Sequence, residues 1–367
     1  MIEGTKPLNS KTNTIQEFTV QFCADSVSID NTLLPLGQIS TDVLNISDAT
    51  LFDLREKNLA LMTAVEQQLW NPDIKKDAAL AIAVQDKMNS ALDVVFTLPL
   101  YRHIDIDKGY ANNFLSLMIK KQPDAFLRLC DPESMEASIF TGLLRTFLSV
   151  FDETVTFRTY ISIMLDIFFE RLKKRDSEYY AIGIYDFFRN EQIQREIAQS
   201  LPDHTNFMFL QSRSAMIEYT TMPNPKNAKQ YMIAERMVFH SIGAFLHVDF
   251  FRGLMHGNAP RRCHNCGRFF LLTEGYDTRY CNNIAPGESV RTCRKVGAHR
   301  KESQKNSSSM IQAEYSKVYS RLKTRRYRGK ISYDEWNKQI ALTQEYKDQA
   351  EKGKLSEFDL KQLYEKM

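Results

Sequence analysis

Long apolar runs are missing from this 367-residue chain. None approaches the ~18 consecutive apolar residues of a membrane-spanning helix, so no membrane partner is expected. The most apolar stretch, YISIMLDIFF at 160–169, ends in the charged ERLKKRD. The opening MIEGTKPLNSKTNTIQ is polar and has no apolar signal core, which points to a reducing cytoplasm. Enzyme motifs are missing too. There is no G-x-S-x-G elbow, no Walker A loop, no G-x-G-x-x-G and no H-E-x-x-H. A nucleobase deaminase would need H-x-E or C-x-E ahead of P-C-x-x-C. Here two arginines separate Pro260 from Cys263, and His256 is followed by Gly257 and Asn258. Carboxylates are numerous but scattered. The chain is not expected to be an enzyme, and no small-molecule substrate is evident.

Cysteine is scarce, yet four of the six fall between positions 263 and 293. Cys263 and Cys266 form a C-x2-C pair. Fourteen residues separate Cys266 from Cys281, and eleven separate Cys281 from Cys293. A C-x2-C turn offers two thiolates to one edge of a tetrahedral metal, and a looser second pair closes the other edge. Gly267 suits such a turn, which often needs positive φ. The expected cofactor is a structural zinc ion. Four thiolates saturate the metal, whereas catalytic zinc keeps a position for water. His264 and His299 lie nearby, but His264 sits inside the turn and should point outward. His240 and His247 read as packing or surface residues, and Cys23 and Cys130 as buried thiols in apolar surroundings.

The net charge of +3 hides an asymmetry. Residues 261–330 contain 17 Lys and Arg against 5 Asp and Glu, leaving 31 against 40 for the rest. A basic module attached to an acidic body suggests a polyanionic partner, with nucleic acid first. The expected phosphate contacts are Arg261, Arg262, Arg279, Arg294, Lys295, Arg300, Lys301, Arg325, Arg326 and Arg328. Tyr276, Tyr280 and Tyr327 are positioned in sequence to stack on single-stranded bases. Phe269 and Phe270 read instead as core.

Periodicity organises the remainder. Phe18, Val20 and Phe22 alternate with polar residues, as do Val27 and Ile29, so 17–30 reads as a small hairpin. Ser47 is a helix N-cap, and a second helix runs from about Ile74 to Phe96. From Tyr110 to about Ser200 the pattern stays helical in several pieces, with Pro123 and Pro132 at helix starts. AMIEYTTM and YMIAERMVF read as strands joined by a turn or loop at PNPKNAKQ. Ser241 caps a helix ending at Gly257-Asn258. A long helix follows from about Ile311 to Arg328, and Ser332 with Glu335 and Ser356 with Asp359 have capping-box spacing.

The run APRRCHNCGRFFLLT…DTRYCNN…TCRKVGAHRK resembles an uncharacterised bacterial family of unknown function with a C-terminal zinc ribbon. The NPKN turn, the FHSIGAFLHVDFFRGLMHGNAP helix and the RGKISYDEWNKQ stretch carry the likeness over roughly residues 215–350. More distantly, the module is similar to the CGNR zinc fingers of bacterial proteins proposed to regulate transcription. Cys263 and Cys266 match their knuckle, Phe269 and Phe270 the aromatic, Arg279-Tyr280-Cys281 the middle, and Cys293 the last ligand. Arg294, Lys295 and Val296 stand where those fingers have Gly-Asn-Arg, and the insert NNIAPGESVRT is longer. The resemblance implies a zinc-binding protein acting on nucleic acid, with a role in transcription.

The expected fold is mainly α: a multi-helical body with small β-hairpin elements, then a four-cysteine zinc ribbon and a helical hairpin. Its segments are an N-terminal extension (1–40), a helical domain (41–205), a β-hairpin plus helix (206–260), the ribbon (261–305) and C-terminal helices (306–367). The competing reading is a protein–protein interaction module, in which zinc fixes the C-terminal hairpin to the body and nucleic acid is not bound.

Overall fold

A computed structural model describes residues 13–30, 32–201, 216–224, 227–273, 278–299 and 310–367. The chain divides into two units, one of residues 1–262 and 267–278, the other of 263–266 and 279–367. The architecture is mainly helical with small antiparallel sheets. Among the described residues no helix is long and apolar enough to cross a membrane.

The first unit begins with β1 (Phe18–Phe22), β2 (Ser26–Ile29) and β3 (Thr32–Pro35), the expected hairpin extended by one strand. Two later strands, β4 (Met216–Asn224) and β5 (Asn227–Phe239), do not stand alone as a second hairpin. They join the first three in one antiparallel sheet of order β3-β2-β1-β5-β4. Phe18 pairs with Phe239, and Val20 with Met237. Side chains directly opposite share a face, so the alternating apolar residues of β1 and β5 pool into one buried layer. Phe18, Phe22, Phe239 and Phe245 are all fully buried there, their ring centroids 5.6–6.4 Å apart. The segment expected as a loop at 223–230 is strand up to Asn224 and again from Asn227.

The helical body comprises α1 (Gln38–Val43), α2 (Asp48–Ala64), α3 (Ala78–Val95), α4 (Lys108–Ala111), α5 (Phe114–Lys121) and α6 (Pro123–Leu129). Then come α7 (Met135–Ile163), α8 (Ser177–Arg189) and α9 (Glu191–Ser200). Ser47 caps α2 by accepting from the Thr50 N–H. Asp77, not Ile74, starts α3, because its carboxylate accepts from the Leu80 N–H. Ser134 rather than Pro132 starts α7, accepting from the Ala137 N–H. Two helical pieces expected from sequence merge in α7, since no Gly or Pro interrupts residues 143–163. A π-turn (Met164–Phe168) and a 3-10 turn (Phe169–Arg171) finish that helix.

α10 (Ile242–Met255) follows the sheet and is capped by Ser241, which accepts from the Ala244 N–H. It meets α1 at a buried polar lock. The fully buried Asp249 carboxylate accepts from the N–H groups of Gly37 and Ser40, both at 2.9 Å, and from the Ser40 hydroxyl at 2.7 Å. Burial pushes the Asp249 pKa above the ordinary carboxylate value, and those hydrogen bonds oppose the shift. The close approach also depends on Gly253, where a Cβ would lie 3.1 Å from Gly37 Cα. The unit closes with the hairpin of β6 (Ala259–Arg262) and β7 (Phe269–Leu272).

In the second unit residues 293–299 form α11. Next come α12 (Met310–Tyr327), α13 (Tyr333–Glu351) and α14 (Glu357–Glu365). Ser332 and Ser356 cap α13 and α14 by accepting from the Glu335 and Asp359 N–H groups. These three helices share a core of their own around Val318, Leu322, Leu360 and Tyr364. Cys23 and Cys130 are buried free thiols of the first unit, as the sequence implied. Burial raises the Cys130 thiol to about 11.

Candidate metal centre and basic cleft

The C-x2-C pair lies in the segment between β6 and β7, followed by Gly267 at φ 74°. The other two cysteines are brought in by a compact loop. Ile284 and Thr292 form an antiparallel bridge, and the Cys293 N–H donates to Asn283 O at 2.8 Å. The Arg294 N–H donates to Cys281 O at 3.0 Å, and the His264 N–H to Arg279 O at 3.0 Å. The eleven-residue insert is thus a folded hairpin that returns the chain to the start of α11, where Cys293 sits.

The sulfurs of Cys263, Cys266, Cys281 and Cys293 all lie within 4.8 Å of one another. Cys266 Sγ and Cys281 Sγ are 3.7 Å apart. A tetrahedral ion with zinc–sulfur bonds of about 2.3 Å requires sulfurs roughly 3.8 Å apart. The cluster is therefore of the right size and donor type for a metal site. Among the described residues it is the one group of three or more His, Cys, Asp or Glu that converges in this way. All six cysteines are free thiols, so no disulfide competes.

The thiols sit in unequal electrostatic surroundings. Burial opposes ionisation of Cys263, but facing N–H groups of Cys281, Cys266 and Asn265 outweigh it and bring the thiol down to about 7. Cys281 moves the other way, because it is buried and crowded by three other sulfurs. Supporting donors behind the sulfurs are in place. The Cys281 N–H points to Cys263 Sγ and the Asn265 amide to Cys293 Sγ, each at 3.4 Å. His264 is exposed and lies edge-on to the Tyr280 ring at 6.2 Å, outside the cluster. His299 is exposed as well, while His247 packs on Phe251 at 4.6 Å.

Tyr280, next to Cys281, packs over Gly297 so closely that a Cβ there would lie 2.5 Å from the ring. Gly297→Ala should therefore destabilise the module by about 1–3 kcal/mol through overpacking. Competition with a chromophoric chelator should show weaker metal binding, and adding Tyr280→Ala should recover part of it. Unchanged metal affinity in Gly297→Ala would remove this account of the packing.

The basic residues named from sequence separate into different environments. Arg261 is buried, with Glu170 Oε1 and Thr278 O each 3.1 Å from its guanidinium. Arg262 grips Asp166 through Nε and Nη2 at 2.9 and 2.7 Å and lies 4.2 Å over the Phe269 ring. The π and 3-10 turns after α7 present those two carboxylates. This pair therefore anchors the β6–β7 hairpin within the first unit and offers no open phosphate site. Arg279, Arg294 and Lys295 are exposed. Arg300, Lys301 and Tyr276 lie outside the described residues. Phe269 is buried and Phe270 half-buried, in keeping with a packing role, while Tyr327 is exposed.

Along α12 the cations divide between faces. Arg326 stacks 4.7 Å over Tyr333 and 4.8 Å over Trp336. Arg321, Arg325, Arg328 and Lys330, with Ser320 and Thr324, line a shallow cleft of about 350 Å³. Arg321 donates to Tyr364 O, and Arg325 to Met367 O at 2.7 Å. Among the described residues no carboxylate side chain lines the cleft. Charge counting by itself does not single out Arg321. The signal that could have found it is spacing, since positions 321, 325 and 328 are i, i+4 and i+7 and share a helix face.

A model of a family of unknown function (DUF6076) matches residues 210–367. The matched span takes in β4 through α14, including all four clustered cysteines, and leaves out α1 to α9. No curated protein matches the chain, and no solved structure does.

Proposed function

We propose that the second unit is a zinc-stabilised module that binds nucleic acid through its phosphates. The observation that carries this reading is the α12 cleft, where Arg321, Arg325, Arg328 and Lys330 converge without a carboxylate among the described lining side chains. Guanidinium groups meet phosphate oxygens with paired, charge-assisted hydrogen bonds. Such contacts position a protein on a nucleic acid without reading its sequence. Cys263, Cys266, Cys281 and Cys293 would hold the zinc. Four thiolates close its coordination shell, so the metal supplies folding energy and no Lewis acidity. The resemblance to CGNR fingers supports a role in transcriptional control.

Arg328 and Lys330 are exposed at the cleft, so reversing their charge should spare the core. Arg328→Glu with Lys330→Glu should weaken binding uniformly across sequences. On duplex DNA the salt slope should fall by about 0.9 for each phosphate that is no longer neutralised. Zinc content and helicity, measured on the same sample, should not change. The reading is overturned if the intact, metal-loaded protein binds neither single- nor double-stranded DNA or RNA at low salt.

One observation favours the interaction-module reading instead. Arg261 and Arg262 are occupied by Glu170 and Asp166, so the basic surface beside the knuckle is smaller than the charge count suggested. Failure of all nucleic acids to bind, with zinc retained, would make that reading the better one.

A further inference from the structure

The first unit holds a cavity of about 540 Å³ that neither the metal centre nor the basic cleft uses. Its floor is buried and apolar, built from Met88 and Leu92 of α3, Leu129 of α6, and Phe140 and Phe147 of α7. Its rim is exposed where Gln16, Asp107, Tyr110 and Ile139 stand. A protein interior is close-packed, with few voids larger than a water molecule. An open apolar cavity of this volume, floored by packed helices and edged by a few polar groups, has the form of a small-molecule site.

Charge narrows the chemistry. Among the described residues no Lys or Arg lines the cavity, and the charged lining residues are Asp107 and Glu136. Glu136 is already paired with Arg128, which lies 2.5 Å away. Asp107 caps α4 through Oδ1, accepting from the Tyr110 N–H at 2.8 Å, and is exposed at the mouth. An anionic acyl chain would bring its headgroup against the Asp107 carboxylate. A cation would be drawn to Asp107.

We infer that this cavity binds a hydrophobic amine, a molecule with an apolar body and one positive charge, its body on the Phe140 floor and its charge beside Asp107. The site is independent of the zinc module and of nucleic acid.

The full-length protein should bind the uncharged probe N-phenyl-1-naphthylamine saturably, one per chain, with a rise in its fluorescence. Dodecylamine should displace the probe at a concentration about tenfold or more below that required of dodecanoate. Asp107→Asn keeps the helix cap, because Asn caps as well as Asp. It should remove the preference for the amine while leaving probe binding intact. Leu143→Trp, which fills the cavity, should abolish probe binding. If circular dichroism shows that this variant misfolds, Ala111→Trp at the half-buried edge takes its place. The inference is overturned if the probe does not bind or if neither filling variant affects it. Equal displacement by dodecylamine and dodecanoate would overturn the assignment to amines.

Discussion

Cys281→Ser is expected to strip the metal from the protein and unfold the segment around the four cysteines. Metal binding at a four-thiolate site contributes on the order of 10 kcal/mol to folding, more than such a short segment gains from burial. In this chain the cysteine-bearing loops of residues 278–299 are joined by backbone hydrogen bonds such as Arg294 N–H to Cys281 O. Removing one sulfur leaves the buried Cys263 and Cys293 and the half-buried Cys266 without their common cation. The damage should stay local. Among the described residues the core of the first unit runs no further than Leu272, and α12 to α14 share a separate cluster around Val318 and Leu322. Helicity should therefore fall little, while proteolysis between residues 278 and 299 accelerates. Zinc measured at one per chain in the wild type should be lost in the variant. Stoichiometric zinc retained by Cys281→Ser would refute the ligand set.

Asp249→Ala should be the most damaging single change in the first unit, costing about 3–5 kcal/mol. The carboxylate serves the Gly37 and Ser40 N–H groups and the Ser40 hydroxyl inside the core. Each buried donor left without an acceptor costs about 1–3 kcal/mol, and the vacated volume adds to the loss. Removing a buried charge offsets part of this, since burial already disfavours the Asp249 anion. Asp249→Asn should fall between the two. Its amide oxygen accepts one N–H, but its NH₂ group faces the other donor. Equilibrium urea unfolding, followed by the fluorescence of Trp70 near Leu129, would measure both. A loss below about 1 kcal/mol for the alanine variant would show that the α1–α10 lock does not hold the unit together.

The four-cysteine cluster was legible in the sequence because the chemistry that calls for it is local. Thiolates must lie within a few ångströms of one ion, so their spacing along the chain carries the signal. Helix starts at Ser47, Ser241, Ser332 and Ser356 were legible for the same reason, each cap reaching only three residues ahead. The sheet was not. Pairing of β1 with β5 joins residues more than two hundred positions apart, and periodicity identifies a strand without naming its partner. The basic residues show the other limit. Arg261 and Arg262 counted toward a basic module, yet Glu170 and Asp166, more than ninety positions earlier, hold them. A charge is assigned by residue type alone, but whether it remains open to a phosphate depends on which carboxylate the fold places beside it. Composition and spacing thus determined the sulfur set, the caps and the helical character. Burial and distant partners, set by tertiary packing, decided the five-stranded sheet, the Asp249 lock and which arginines face the cleft on α12.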